Sequence, residues 1–194
     1  MAYQFKIQLK DITKPPVWRR VIVPEKLTFD DFHLVIQALF GWGNYHLYQF
    51  SPTGYVSSPV IAIPSKDDWE KPEMNSMKTK LNKIFSQEKQ TFNYIYDFGD
   101  DWNHKIVLEK LVPDDIISPV CLAGKGACPP KDCGGAWAYE NLKIILGDSS
   151  HEEYAEMKEW LSLDEDEGWD SDDFDLDSVN HVIRNSFINI TLHN

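Results

Sequence analysis

The chain opens on an alternation. Tyr3, Phe5, Ile7 and Leu9 are apolar and their neighbours polar, the period of a half-buried strand. Lys14-Pro15-Pro16 interrupts it, because proline offers no N–H to a ladder. Residues 17–23 are β-branched and predict a second strand, with Trp18, Arg20 and Ile22 on one face and Val17, Arg19, Val21 and Val23 on the other. The period then changes. Thr28 with Asp31 three residues on reads as a capping-box variant, and Phe32, Val35, Ile36 and Leu39 fall at i, i+3, i+4 and i+7, the stripe of an amphipathic helix. Gly41-Trp42-Gly43 ends it. Residues 46–50 and 60–63 predict two further strands.

Met77, Leu81, Ile84 and Phe85 have helical spacing and predict a short helix after Asn75 or Ser76. Alternation returns in Phe92, Tyr94, Tyr96 and Phe98, and again in Trp102, His104, Ile106 and Leu108. With Gly99-Asp100-Asp101 between them, residues 91–109 predict a β-hairpin. Residues 121–135 hold four glycines, two prolines and three cysteines and predict a loop. Ala138, Leu142, Ile145 and Leu146 mark one helix. Ser150 to Glu153 forms a capping box for another, with Tyr154, Met157 and Leu161 as its buried face; Val179, Val182 and Ile183 mark a last helix. Ile188, Ile190 and Leu192 predict a closing strand. The expected fold is α+β, a mostly antiparallel or mixed sheet with helices mainly on one face, since strands and helices do not alternate regularly. It is read as one domain over residues 1–194: strand-rich at 1–110, a Cys/Gly/Pro loop at 113–135, helix-rich at 136–186 and a closing strand at 187–193.

Composition changes the picture in two places. The net charge is −12, yet nine acids and no base lie between Asp164 and Asp177, so one stretch carries most of the imbalance. It reads as a solvated connector, and the register of a calcium loop fails there because Gly168 falls one position early. The global sign disfavours nucleic acid, whose binding needs concentrated bases. The second place is cysteine: Cys121, Cys128 and Cys133 are odd in number and close in sequence, a poor disulfide framework. The alternation from the first residues differs from a secretory leader, and no apolar run reaches the length of a membrane span. The expectation is a cytoplasmic protein without membrane contact.

Several clusters carry candidate chemistry. Cys121-x6-Cys128-x4-Cys133 offers three soft ligands to zinc, with His104, His46, His151 or Asp132 as a fourth; the competing reading is a loop pinned by buried thiols, which the non-standard spacing favours. In the hairpin, Asp97, Asp100 and His104 are acid–base or hard-metal candidates and Tyr96 and Trp102 binding candidates beside them, against simple turn and packing roles. Arg19 and Arg20 are candidate anion grips, against stacking on Trp18 or pairing with the acidic segment. His46 sits among aromatics and gains interest if it meets His104. No phosphate loop, dinucleotide fingerprint, Gly-x-Ser-x-Gly or His-Glu-x-x-His occurs.

Four stretches carry a resemblance: Lys14-Pro-Pro-Val-Trp-Arg-Arg20, Gly41-Trp-Gly-Asn-Tyr-His-Leu-Tyr-Gln-Phe50, Tyr94-Ile-Tyr-Asp-Phe-Gly-Asp-Asp-Trp-Asn-His104 and Cys121-Leu-Ala-Gly-Lys-Gly-Ala-Cys-Pro-Pro-Lys-Asp-Cys-Gly-Gly135. Together with Phe174-Asp-Leu-Asp-Ser-Val-Asn180 their order resembles the plasmid pRiA4b ORF-three-like family. The resemblance implies a compact α+β fold and an association with plasmids and transposable elements, and it implies no reaction. Without a complete catalytic set, the reading is a non-enzymatic binding or interaction domain whose partner is a protein or small ligand. Its rivals are a metal-dependent, zinc-type hydrolase with Asp97 or Asp100 as base, and a nucleic-acid-binding accessory protein using Lys78, Lys80 and Lys83.

Overall fold

The computed structural model describes residues 1–55, 57–64 and 71–191, the side chains of 188–191 excepted. Strands β1 (Ala2–Leu9), β2 (Trp18–Pro24), β3 (Tyr48–Ser51), β4 (Ile61–Ala62), β5 (Met74–Asn75), β6 (Thr91–Tyr96), β7 (Trp102–Val112) and β8 (Val120–Lys125) form one sheet. Its order is β5-β4-β3-β6-β7-β1-β2-β8. Neighbours are antiparallel except β4 and β5, which run parallel, so the sheet is mixed. The helices are α1 (Phe29–Phe40), α2 (Gly135–Gly147), α3 (Tyr154–Trp160) and α4 (Leu176–Thr191). This is the expected α+β arrangement. The inward residues of β1 and β2 are buried while Lys6, Trp18 and Arg20 on the opposite face are half-exposed.

Local chemistry explains α1. Thr28 accepts from the Asp31 N–H at 3.0 Å and Asp31 accepts from the Thr28 N–H at 2.9 Å, a reciprocal capping box worth about 1 kcal/mol. Gly41 ends the helix at φ 69°, a left-handed conformation that costs glycine little. The apolar stripe of α1 packs on the sheet: Phe32 meets Phe5 at 5.0 Å and Phe29 meets Phe50 at 5.0 Å between ring centroids.

Four segments differ from the sequence reading, the first three for a tertiary reason. Residues 77–85 are not a helix; β5 precedes them and only a 3₁₀ turn forms at Leu81–Lys83. The Thr79 and Ser76 carbonyls accept from Phe29 and Asp30, the first N–H groups of α1, and Leu81 N–H bonds Leu27. With these carbonyls turned toward α1, the segment closes only separate turns, Lys78 and Thr79 N–H on Asn75 and Ile84 and Phe85 N–H on Leu81, and no continuous helix. The predicted 113–135 loop contains β8, which pairs with β2. The expected closing strand is helix: α4 continues to Thr191, because Val179, Ile183 and Phe187 repeat every four residues and pack on the core. Leu192 lies outside the described residues. The capping box expected at Ser150 does not form. Ser150 bonds Asp148 instead, and α3 begins at Tyr154 with no side-chain cap and no buried residue. Tyr154, Met157 and Leu161 are only partly buried.

Candidate functional site

The loop after α1, the β6–β7 turn and the loop before α2 meet at one end of the sheet. Trp42 stacks on Tyr96 at 5.2 Å and lies 5.8 Å from Trp102 and 5.4 Å from His104, and its indole N–H donates to the Pro129 carbonyl at 3.1 Å. His46 Nε2 stands 3.4 Å from Asp97 Oδ2 at the surface. The Tyr96 hydroxyl oxygen receives the Tyr45 N–H at 3.1 Å, and burial raises its pKa. Thus Tyr96, His46, Asp97 and Trp102 do come together, with Trp42, Tyr45 and Lys131 added. The cleft among them is only about 20 Å³, the space of a single water molecule. A His–Asp pair there can hold and pass a proton, but no serine, threonine or cysteine lines the cleft to act as nucleophile.

The remaining hairpin candidates are committed to architecture. Asp97 sits at φ 55° and accepts from Gly99 N–H at 3.0 Å, an Asx turn. Asp100 Oδ2 accepts from Gly134 N–H at 3.1 Å and so places a carboxylate at the N-terminus of α2, where the helix dipole favours it. Gly135 is required at this contact, since a Cβ would lie 2.6 Å from the Asp100 carbonyl oxygen. Phe98, expected to share the face of Tyr96, lies beyond the end of β6 and is exposed. His104 is fully buried; its Nδ1 is 2.9 Å from the Trp102 carbonyl and therefore carries the proton. Among the described residues its Nε2 has no hydrogen-bond partner, and burial lowers its pKa to about 3. The imidazole is neutral and remote from solvent.

A second buried histidine escaped the sequence reading. His33 Nε2 lies 2.7 Å from Asn44 Oδ1, an obligate acceptor, so Nε2 is protonated and Nδ1 accepts from the Tyr94 hydroxyl at 2.7 Å. Tyr94 in turn accepts from Gln37 at 3.0 Å, and Gln37 accepts from Asn44 N–H at 2.9 Å. The ring of bonds closes with each donor matched. Burial drives the His33 pKa down to about 4. The only sequence signal was polar residues inside an apolar stripe.

Arg19 and Arg20 fall on opposite faces, as expected, and meet different fates. Arg20 makes two bonds to Glu109, at 2.6 and 2.9 Å, holds that carboxyl below its usual pKa, and lies over Trp18 at 5.3 Å with Lys6 at 4.9 Å from the same ring. Arg19 is 2 % exposed. It donates to the carbonyls of Leu39, Trp18, Lys125 and Gly126 and to Cys128 Sγ, at 2.8 to 3.1 Å. Phe174 covers its guanidinium at 4.5 Å. Five N–H groups meet five acceptors, leaving none for an anion. The sequence stretches around Trp18, Gly41, Cys121 and Phe174 are thus gathered by one buried cation. Gly124 belongs to the same knot: a Cβ there would stand 2.6 Å from the Phe174 ring and 2.8 Å from Arg19 Cδ. Gly124→Ala is expected to lower stability by about 1–3 kcal/mol, as overpacking does, read as a lower urea midpoint with unchanged slope. A wild-type midpoint would contradict the knot.

The cysteines do not form one centre. Cys128 is held by Arg19, Cys121 lies in β8 with its thiol 3.6 Å from the Ala123 carbonyl, and Cys133 lines a groove between α2 and α3. Burial pushes their pKa values up to about 11, 11 and 12. His104 points into the rings of Phe40, Trp42 and Tyr94. Among the described residues no three His, Cys, Asp or Glu side chains converge as metal ligands, so the residues present do not fit the zinc expectation. Lys78, Lys80 and Lys83 are exposed on the turn after β5, with no helix to align them.

A groove of about 340 Å³ lies between α2 and α3, lined by Trp137, Leu142, Ile145, Met157 and Trp160 together with Cys133, Asp132 and Glu153. Trp137 is 82 % exposed and Trp160 44 %. The sequence held the signal: Trp137, Asn141 and Ile144 fall at i, i+4 and i+7, off the stripe of Leu142 and Leu146 that α2 buries.

Among the described residues no helix is long and apolar enough to cross a membrane. The fold is similar to that of a solved Methanosarcina mazei Go1 protein of unknown function, MM3350, with a TM-score of 0.77, 37 % identity, and coverage of 91 % of this chain and 96 % of that one. The sequence is 35 % identical over 151 residues to the uncharacterized protein y4hQ of Sinorhizobium fredii, 77 % of this chain and 76 % of that protein. A family model matches residues 1–178. The stretches knotted around Arg19 therefore lie within a shared framework, and the chain belongs to the plasmid pRiA4b ORF-3-like protein family.

Proposed function

We propose that this protein is a non-enzymatic interaction domain, and that it meets its partner through the α2–α3 face. The observation that carries this reading is Trp137, a large apolar side chain left 82 % exposed beside an apolar groove. Burying tryptophan in a partner is among the strongest sources of binding energy. The groups a catalyst would use are otherwise engaged: Arg19 has spent its donors, His104 is buried, and the His46–Asp97 pair opens on space for one water. An accessory role at a mobile element belongs to the same reading and rests on the plasmid-derived family name.

The test is to pan a random peptide library against the folded protein and against a Trp137→Ala/Trp160→Ala variant. Related sequences should be enriched on the wild type and lost on the variant. Enrichment that ignores both tryptophans would remove the groove as the site. Substrate turnover abolished by Asp97→Asn would return the protein to the enzymes.

A further inference from the structure

We infer that the α2–α3 groove receives a basic, apolar-anchored segment of a partner protein; this rests on the interaction reading above and adds the partner's chemistry. Helix α2 is apolar on two sides. Leu142 and Leu146 face the core, whereas Trp137 and Ile144 project outward at 82 % and 65 % exposure. Helix α3 lies against α2 without burying any residue, so the cleft between them is shallow-walled and open. A second helix or an extended strand laid there would cover both tryptophans, the geometry of a helix-in-groove contact.

Charge selects among possible occupants. Among the described residues Asp132 and Glu153 line the groove and no lysine or arginine does, and α3 carries Glu156 and Glu159 against the single base Lys158. Lys143 is buried between the Lys14 carbonyl and Glu140, Lys158 reaches the Glu165 carbonyl at 2.9 Å, and Lys131 pairs with Asp132 at 3.5 Å, so Glu153 carries the negative charge of the groove itself. A second copy docking by the same face would bring two acidic faces together with no lysine or arginine in either groove. Lysines and arginines flanking an apolar anchor satisfy both the groove and its rim.

The experiment measures fluorescence anisotropy of two labelled amphipathic peptides of about 15 residues, long enough to hold a helix on docking. One is built of leucine and lysine, the other of leucine and glutamate. Binding is measured at near-physiological salt to screen diffuse attraction. The lysine peptide should bind, at least about tenfold more weakly to Trp137→Ala and also more weakly to Glu153→Lys, and the glutamate peptide should not bind. Both positions are exposed, so matching urea midpoints will show the variants folded. If both peptides bind through Trp137, the basic partner is wrong while the interaction face stands. If the lysine peptide binds Trp137→Ala as well as wild type, it adheres to the acidic stretch and the groove assignment fails with it. If neither binds, the inferred chemistry is overturned. If the free protein dimerises and Trp137→Ala abolishes the dimer, the occupant is a second copy instead.

Discussion

Arg19→Lys should cost on the order of 3 kcal/mol of stability, and Arg19→Met more, with both variants unfolding at lower urea than wild type. An arginine in a protein interior keeps its charge, and among the described residues no carboxylate bonds this one. Four carbonyl oxygens and a thiol supply its negative environment, with Phe40 and Phe174 rings at 5.4 and 4.5 Å. Lysine brings three donors on a tetrahedral head, so at least two acceptors lose their partner and the planar stack on Phe174 is gone. Methionine removes every donor and leaves the Leu39 carbonyl, at the end of α1, buried without a bond. An unmatched buried polar group costs about 1–3 kcal/mol. The replacement of a buried ion pair by apolar residues is often neutral because both partners leave together; here four of the five acceptors are backbone and cannot leave. Methionine as stable as arginine would show that the bonds contribute little.

Acid should unfold the protein more steeply than its carboxylates alone explain. His33 and His104 have pKa values lowered to about 4 and about 3 by burial, against 6.5 for an exposed histidine. The folded state thus refuses protons that the unfolded chain accepts. The stabilising difference is fully present above about pH 6.5 and drains away as pH falls toward the folded values. Each histidine contributes a slope of at most about 1.4 kcal/mol per pH unit, so both together approach about 2.8 kcal/mol per pH unit near pH 5. His104→Phe tests this directly. The site is walled by Phe40, Trp42 and Tyr94, so a phenyl ring suits it at the modest cost of the bond to the Trp102 carbonyl. Unfolding free energy measured in urea across pH should then lose one proton's worth of slope in that window. An acid limb unchanged by His104→Phe would mean that this imidazole is protonated in the fold.

The candidate site was legible in part. His46, Tyr96, Asp97 and Trp102 stood out as polar and aromatic residues on adjacent elements, and they do meet. What the residues of that cluster do was not legible. Asp100 is the same carboxylate whether it activates water or caps a helix; only the position of Gly134, thirty-odd residues away, decides. Arg19 looked like an anion grip because its five acceptors come from β2, β8, the loop after it and the end of α1. Trp137 went unremarked although its place off the buried stripe of α2 was visible, since an exposed tryptophan is recognised only when the far side of the helix is known to be uncovered.

Sequence by itself determined the elements whose reasons are local: the alternating β1, β2 and the β6–β7 hairpin, and α1 between Thr28 and Gly41. Period, capping and turn chemistry act within a few residues, so they can be read there. Tertiary structure decided the rest. Residues 77–85 gave up a helix to cap α1, residues 120–125 became a strand because β2 offered an open edge, and α4 ran through a β-like alternation because Ile183 and Phe187 had a core to reach. It also decided that Arg19 is spent inside the fold and Trp137 left outside it. The accounts of backbone hydrogen bonds and buried charge close only over the whole chain, and no local pattern contains their remote partners.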